Sequence, residues 1–348
     1  MAIKHGGDLI QIATQYGSDV SEWIDLSTGV SPFTYPVGNV PEAVWNQLPQ
    51  MNDGLESAAQ EYYHAPTEPN TVAGSQAAIM ALPALLCHRF GGCGVVALPS
   101  VGYKEHEYAW CGFKKNQLNW EILFYDDEPS TELVNRCDVV IVINPNNPTG
   151  KCLEPVIILG IKDQLALRGG MLIVDEAFID VTPANSVLTW VSNFENLIVL
   201  RSVGKFFGLA GARVGFVFAD PKIKALLQEH IGPWTVAGAG RWVMKQAFSD
   251  LHWQQQTRKR IINASDKLNQ LLNRYLDCPQ AGTHLFTTVY LPDAVQSHDK
   301  LCKQQVLTRL CDEKNAIRFG LPANKFQWVK LECALKHISE KREVQYEH

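Results

Sequence analysis

Short apolar runs recur through the first two-thirds of this chain, interspersed with longer stretches of helical spacing, and few folds accept that pattern. The runs are residues 94–98, 122–125, 138–143, 171–174, 197–200 and 214–218. Several carry Val and Ile at consecutive positions, so a strand made from them is apolar on both faces. Such strands need cover on both sides, which a parallel sheet with crossover helices supplies. Residues 75–88, 155–168 and 222–229 have the helical spacing to provide it. The pattern changes near Gly232-Pro233. A long helical stretch, 240–273, comes next, then a strand at 285–291, a further helix and a short strand at 316–319. The expectation is an α/β protein. Its large domain, residues 36–235, has a mostly parallel sheet between helices, and residues 1–35 and 236–348 form a smaller α+β domain. The opening thirty-odd residues bury too little by themselves. They are expected to pack on the smaller domain or across a subunit interface.

Composition narrows the function. The chain has 348 residues, 46% of them hydrophobic, and a formal net charge of -5. That balance lacks the basic excess of a nucleic-acid surface, although a few placed Arg and Lys residues still suffice for a small anion. Nine cysteines are scattered with no C-x-x-C pair, which argues against a disulfide framework or a structural zinc site. The opening M-A-I-K-H-G-G-D has no signal pattern, and no apolar run reaches the ~18 residues of a membrane span. A cytoplasmic protein without membrane or nucleic-acid partners is expected.

Four segments carry the chemistry, and three follow predicted strands, where ligands collect in open parallel sheets. Ser202-Val203-Gly204-Lys205 follows the 197–200 run, with Arg213 eight residues beyond the lysine. A lysine there, near another cation, is set to become a nucleophile for a carbonyl. Arg213 and Ser202 suit a phosphate. Asp175-Glu176-Ala177-Phe178 ends another run, and a buried Asp175 needs a cationic partner; a protonated pyridine nitrogen is one. Glu176 points the other way on an extended backbone. Asn144-Pro145-Asn146-Asn147-Pro148-Thr149-Gly150 ends a third run. It reads as a turn, or as a placed Asn147 amide donating to a ligand oxygen. Gly74, Ser75 and Gln76 open a helix, whose free N–H groups suit a phosphate. Tyr103, after Leu98-Pro99-Ser100, is either a stacking ring or plain core.

In this order and spacing, N-N-P-T-G, D-E-A-F, S-x-x-K and the later Arg resemble the fold-type I enzymes that use pyridoxal 5'-phosphate (PLP), the aspartate-aminotransferase-like group. The resemblance implies the PLP-transferase fold and a Schiff-base lysine at Lys205. It implies Asp175 at the pyridine nitrogen, Asn147 at the ring oxygen and Tyr103 on the ring face. Gly74, Ser75, Gln76, Ser202 and Arg213 would surround the cofactor phosphate. It also implies a homodimer with sites at the subunit interface.

A closer resemblance covers nearly the whole chain. His5-Gly6-Gly7-Asp8, the 23–32 segment W-I-D-L-S-T-G-V-S-P, and the motifs A-G-S-Q-A-A-I, G-Y-K-E-H, G-P-W-T-V-A-G and I-R-F-G-L-P resemble the threonine-phosphate decarboxylases of cobalamin biosynthesis. That family implies decarboxylation of L-threonine O-3-phosphate to (R)-1-aminopropan-2-ol phosphate. It puts Arg318 on the substrate carboxylate. Gly29, Asn147, Arg309 and His5 are further candidate substrate contacts, with Lys4 also near; Arg309 is read in a helix-like stretch, 304–311. Aminotransferases of the wider group carry Tyr where this chain has Phe178, and many relatives carry Tyr near Leu48-Pro49, so no contact is carried over there. The alternative is transamination of a phosphorylated substrate such as histidinol phosphate. A PLP-binding regulator is a third reading, but the chain has no room for a DNA-binding domain before His5 and no basic patch.

Overall fold

Seven strands form one sheet in the order β1-β7-β6-β5-β4-β2-β3. They are β1 (Asn70–Val72), β2 (Val95–Pro99), β3 (Glu121–Tyr125), β4 (Val139–Ile143), β5 (Met171–Asp175), β6 (Leu197–Ser202) and β7 (Gly215–Phe218). The computed structural model describes residues 5–114 and 118–346, the side chains of 340–346 excepted. From β3 across to β6 every neighbouring pair is parallel. Only β7 runs against its two neighbours, β6 and β1. Strands β4 and β5 are buried at every position, as the apolar run of each requires, with Asp175 the one charged residue, at the end of β5. The expected α/β class with a mostly parallel sheet is what the chain forms.

The principal helices beside this sheet are α1 (Ser75–Arg89), α2 (Lys104–Gly112), α3 (Pro155–Ala166), α4 (Pro221–Ile231) and α5 (Gly238–Ser249). Leu82 and Leu86 of α1 join Val96, Leu98, Ile173 and Ile198 in one buried cluster, and α4 adds Ile223 and Leu227. The expected single helix over 240–273 is two, α5 and α6 (Leu251–Leu276). Asp250 causes the break. Its carboxylate accepts from the Trp253 N–H at 2.9 Å, while the Gln254 amide donates to the carbonyls of Ala247 and Phe248. Groups at the end of α5 and the start of α6 are thus satisfied within the eight residues 247–254.

The chain divides into two compact units. Unit 2 holds residues 35–147 and 151–254, with the seven-stranded sheet; unit 1 holds 1–34, 148–150 and 255–348. The later boundary therefore falls inside α6, past the 235/236 position suggested by the change in pattern. The physical reason lies on α5. Arg241 is buried, and its guanidinium bonds Asp53 at 2.6 Å and Glu56 at 2.8 Å, both in unit 2.

Unit 1 has its own antiparallel sheet in the order β10-β11-β9-β8, made of β8 (Gln280–Thr283), β9 (Phe286–Tyr290), β10 (Arg309–Leu310) and β11 (Ala316–Gly320). Ile24–Asp25 pairs in parallel with Val306–Leu307. Ala13 and Trp23 pack with Cys302 and Leu307. The opening residues thus belong to the smaller unit, which is α+β. Residues 148–150 group here for close-packing reasons. The Thr288 hydroxyl donates to the Pro148 carbonyl at 2.7 Å, and a Cβ on Gly150 would meet the Gly282 carbonyl oxygen at 2.2 Å.

Candidate active site

One pocket of unit 2 is lined by parts of all four segments singled out from the sequence. Strand β5 delivers Asp175 to it, β6 delivers Ser202, and the turns after β6 and β4 deliver Lys205 and Asn147. Gly74, Ser75 and Gln76 reach it from the start of α1, and Tyr103 and Arg213 complete the set. Lys205 is partly buried, with its Nζ 5.4 Å from the ring centroid of Phe178, itself buried.

Asp175 is 2% exposed, and its environment is specific. One carboxylate oxygen accepts from the Ala177 N–H at 3.1 Å, and the other lies 2.9 Å from His106 Nε2. With the carboxylate ionised, Nε2 is the nitrogen that carries the proton in this contact. His106 sits on α2, is 1% exposed, and has no hydrogen-bond partner at Nδ1 among the described residues. An acid this deep needs compensation, and the His106 ring nitrogen at 2.9 Å supplies part of it.

A second chain of bonds runs through Tyr103, whose hydroxyl donates to Gln76 Oε1 at 3.1 Å; the Gln76 amide donates to Glu105 at 2.7 Å. Glu105 and His106 were not among the candidate residues. Their only sequence signal was the G-Y-K-E-H motif, whose helical phase turns the two toward separate partners.

The start of α1 is shaped for an anion. Its N-cap is Gly74, at φ +71, which brings no side chain to cap the first-turn N–H groups. A Cβ on Gly74 would sit 2.6 Å from Arg213 Nη2, and one on Gly215 would sit 2.5 Å from the Ser75 nitrogen. Both glycines are therefore needed for Arg213 and the helix start to approach each other this closely. The Asn147 loop is fixed from behind. Asn144 bonds Leu153 in both directions, and the Asn146 amide donates to the Val101 carbonyl at 2.7 Å.

Beside the pocket strands lies a buried ion cluster. Strand alternation turns Glu176 and Arg201 away from their neighbours Asp175 and Ser202. Arg201 meets Glu176 at 2.7 Å and Asp180 at 2.6 Å, and lies 4.1 Å from the Tyr63 ring centroid. Burial pulls the guanidinium pKa down, but the carboxylates of Asp180 and Glu176 outweigh it and hold it above its usual value. The cluster ties the ends of β5 and β6 together. Arg201→Met leaves two buried carboxylates without their cation, and should cost about 3–5 kcal/mol in urea unfolding. A loss under about 1 kcal/mol would show that the cluster does not hold these strand ends.

The remaining candidates lie in unit 1. Arg318 on β11 is 9% exposed, donates to the Ser27 carbonyl at 2.6 Å and sits over Phe286. Arg309 is in a strand, not a helix-like stretch: β10 pairs with β11, in register with Arg318. Two residues cannot show a strand period by themselves, so the partner strand decides. Arg309 bonds Asp312 at 2.9 Å. Gly29 is buried and His5 exposed. Next to His5, Gly6 packs so tightly that a Cβ would meet the Ser27 carbonyl oxygen at 2.4 Å, and the Gly7 N–H donates to the Ser27 hydroxyl. Lys4 lies outside the described residues. Leu48 is exposed. Among the described residues, no group of His, Cys, Asp and Glu is arranged to hold a metal ion, and no helix is long and apolar enough to cross a membrane.

Residues 45–335 match the family model described as aminotransferase class I and II. A threonine-phosphate decarboxylase from Pseudomonas aeruginosa is 42% identical over 338 residues, covering 97% of this chain and 98% of that protein. A second, from a Sinorhizobium species, is 36% identical over 320 residues, covering 89% and 90%. Among solved structures, histidinol-phosphate aminotransferase from Sinorhizobium meliloti in complex with pyridoxal-5'-phosphate shares the fold. Its TM-score is 0.80 at 19% identity, covering 98% of this chain and 99% of that one. With its motifs gathered in one pocket and the family model matched over most of its length, this chain belongs to the class I and II aminotransferase family.

Proposed function

We propose that this protein is a PLP-dependent lyase that decarboxylates L-threonine O-3-phosphate to (R)-1-aminopropan-2-ol phosphate, a step of cobalamin biosynthesis. The observation that carries the reading is the near full-length relation to threonine-phosphate decarboxylases, 42% identical over 97% of the chain. The pocket fits the cofactor: an amine, a buried acid and an anion cradle line it together. When bound, PLP supplies an aldehyde for amines and a protonated ring that takes up the electron pair left at Cα.

The chain's own groups do the rest. Lys205 would hold the cofactor through its amine, and its Nζ would be the acid that hands a proton to the substrate Cα. Asp175 keeps the ring nitrogen protonated, and His106 fixes the carboxylate through the 2.9 Å contact. Ser202, Arg213, Gly74 and Ser75 hold the cofactor phosphate. Gln76 orients Tyr103 against the ring through their hydrogen bond. Asn147 donates to the ring oxygen. Phe178 has no hydroxyl to add a second donor there, which supports decarboxylation over transamination. Arg318 takes the substrate carboxylate, with His5, Gly29, Asn147 and Arg309 as further contacts.

The test is incubation of the holoenzyme with threonine phosphate and no 2-oxo acid. Carbon dioxide and the amine should appear in equal amounts. Turnover that needs a 2-oxo acid and yields a keto product would overturn the reading. We further read the protein as a homodimer, because Trp45, Leu48 and Met51 are exposed within one short segment of unit 2. The nine reduced cysteines suit the cytoplasm.

A further inference from the structure

The geometry points to Cys87 and Cys93 as a reversible disulfide pair, a modification site that exchanges with low-molecular-weight disulfides. Their sulfurs lie 2.9 Å apart. That is closer than the chain spacing C-x5-C alone would bring them, and it has a local cause.

Helix α1 ends in a Schellman turn. The Gly92 N–H donates to the Cys87 carbonyl at 2.9 Å and the Gly91 N–H to the His88 carbonyl at 3.2 Å, with Gly91 at φ +70. These are the six-to-one and five-to-two bonds of that motif, and Gly91 supplies the left-handed residue it needs. The turn reverses the chain and returns the residue after Gly92 onto the last turn of the helix. That residue is Cys93. The Gly-Gly pair therefore preorganises the two thiols, and little loop entropy opposes joining them. Among the described residues, and apart from its chain neighbours, nothing lies within 4 Å of a Cβ built on Gly91 or Gly92, so the turn is open to a small reagent.

The thiols differ in access. Cys87 is 5% exposed and packs in the core cluster, whereas Cys93 is only partly buried. Cys93 is accordingly the attacking thiol. It gives its proton to solvent, breaks the S–S bond of the reagent, forms a mixed disulfide and releases one thiol. Cys87 then loses its proton, attacks the Cys93 sulfur and releases the second thiol. Two cysteine thiols are oxidised to one disulfide, and one reagent disulfide is reduced to two thiols. The pair lies about 18 Å along α1 from Ser75, at 1.5 Å per residue, so the active-site pocket is not involved.

The test uses the holoenzyme with oxidised glutathione, followed by acid quench, alkylation of the remaining thiols and tryptic mapping. Trypsin cuts after Arg89, so the peptides carrying the two thiols stay joined only if the bond has formed. The expected result is one joined pair at Cys87–Cys93, a fall in titratable thiols from nine to seven, and turnover equal to that of the untreated enzyme. Cys93→Ser should keep its turnover and form no joined pair. Nine unchanged thiols would overturn the proposal, as would a bond between other cysteines. So would glutathione retained on Cys93 with Cys87 still a thiol, since the two would then be only neighbours in the packing.

Discussion

Lys205→Ala should lower kcat by at least about 10^3-fold, because it removes both the anchoring amine and the proton donor. Lys205 is only partly buried at the pocket wall, with its Nζ 5.4 Å from the Phe178 ring centroid, so truncating it opens no sealed cavity in the core. The variant should therefore fold, with circular dichroism matching the parent. Borohydride reduction of the parent holoenzyme followed by peptide mapping should find the cofactor mass on the peptide containing residue 205. In the variant that mass should be missing. Arg at this position keeps the charge but has no nucleophilic amine at neutral pH, so Lys205→Arg should be as inactive as Lys205→Ala. A variant with more than a tenth of parental turnover, or label on a different lysine of the parent, would remove the central role given to this residue.

The pocket strands were legible because both-face apolar runs have few alternatives, and β2 through β7 lie within a few residues of their expected positions. Strand β1 was not, since Asn70–Val72 is three residues long and exists by pairing with β7. The same applies to Arg309, whose strand is defined by β11. Asp250 hid the break between α5 and α6, because an Asp inside a helical run is not by itself a stop signal. The pocket residues could be read from motif order and from their positions after strands. His106 could not: its contact with Asp175 spans 69 residues and depends on how α2 lies beside β5. Local spacing encodes which face a side chain takes, not which distant element meets it.

That missed contact gives the second large effect. Asp175→Asn keeps the size of the side chain but removes the charge that compensates a protonated ring nitrogen. Removing one partner of a buried ion pair costs about 3–5 kcal/mol, and at about 1.4 kcal/mol per decade kcat should fall about 10^2–10^4-fold. His106→Gln retains a donor for the Asp175 carboxylate but loses the rigid ring, so its loss should be nearer ten-fold, consistent with a positioning residue. The two variants also separate by spectrum. Asp175→Asn should shift the visible band of the bound cofactor, since the ring nitrogen loses its proton, whereas His106→Gln should leave that band in place. In the double variant the His106 change should add little, because the imidazole acts only through the carboxylate. Full additivity of the two losses would mean that His106 acts on the reaction independently of Asp175, and that the buried 2.9 Å contact is structural alone.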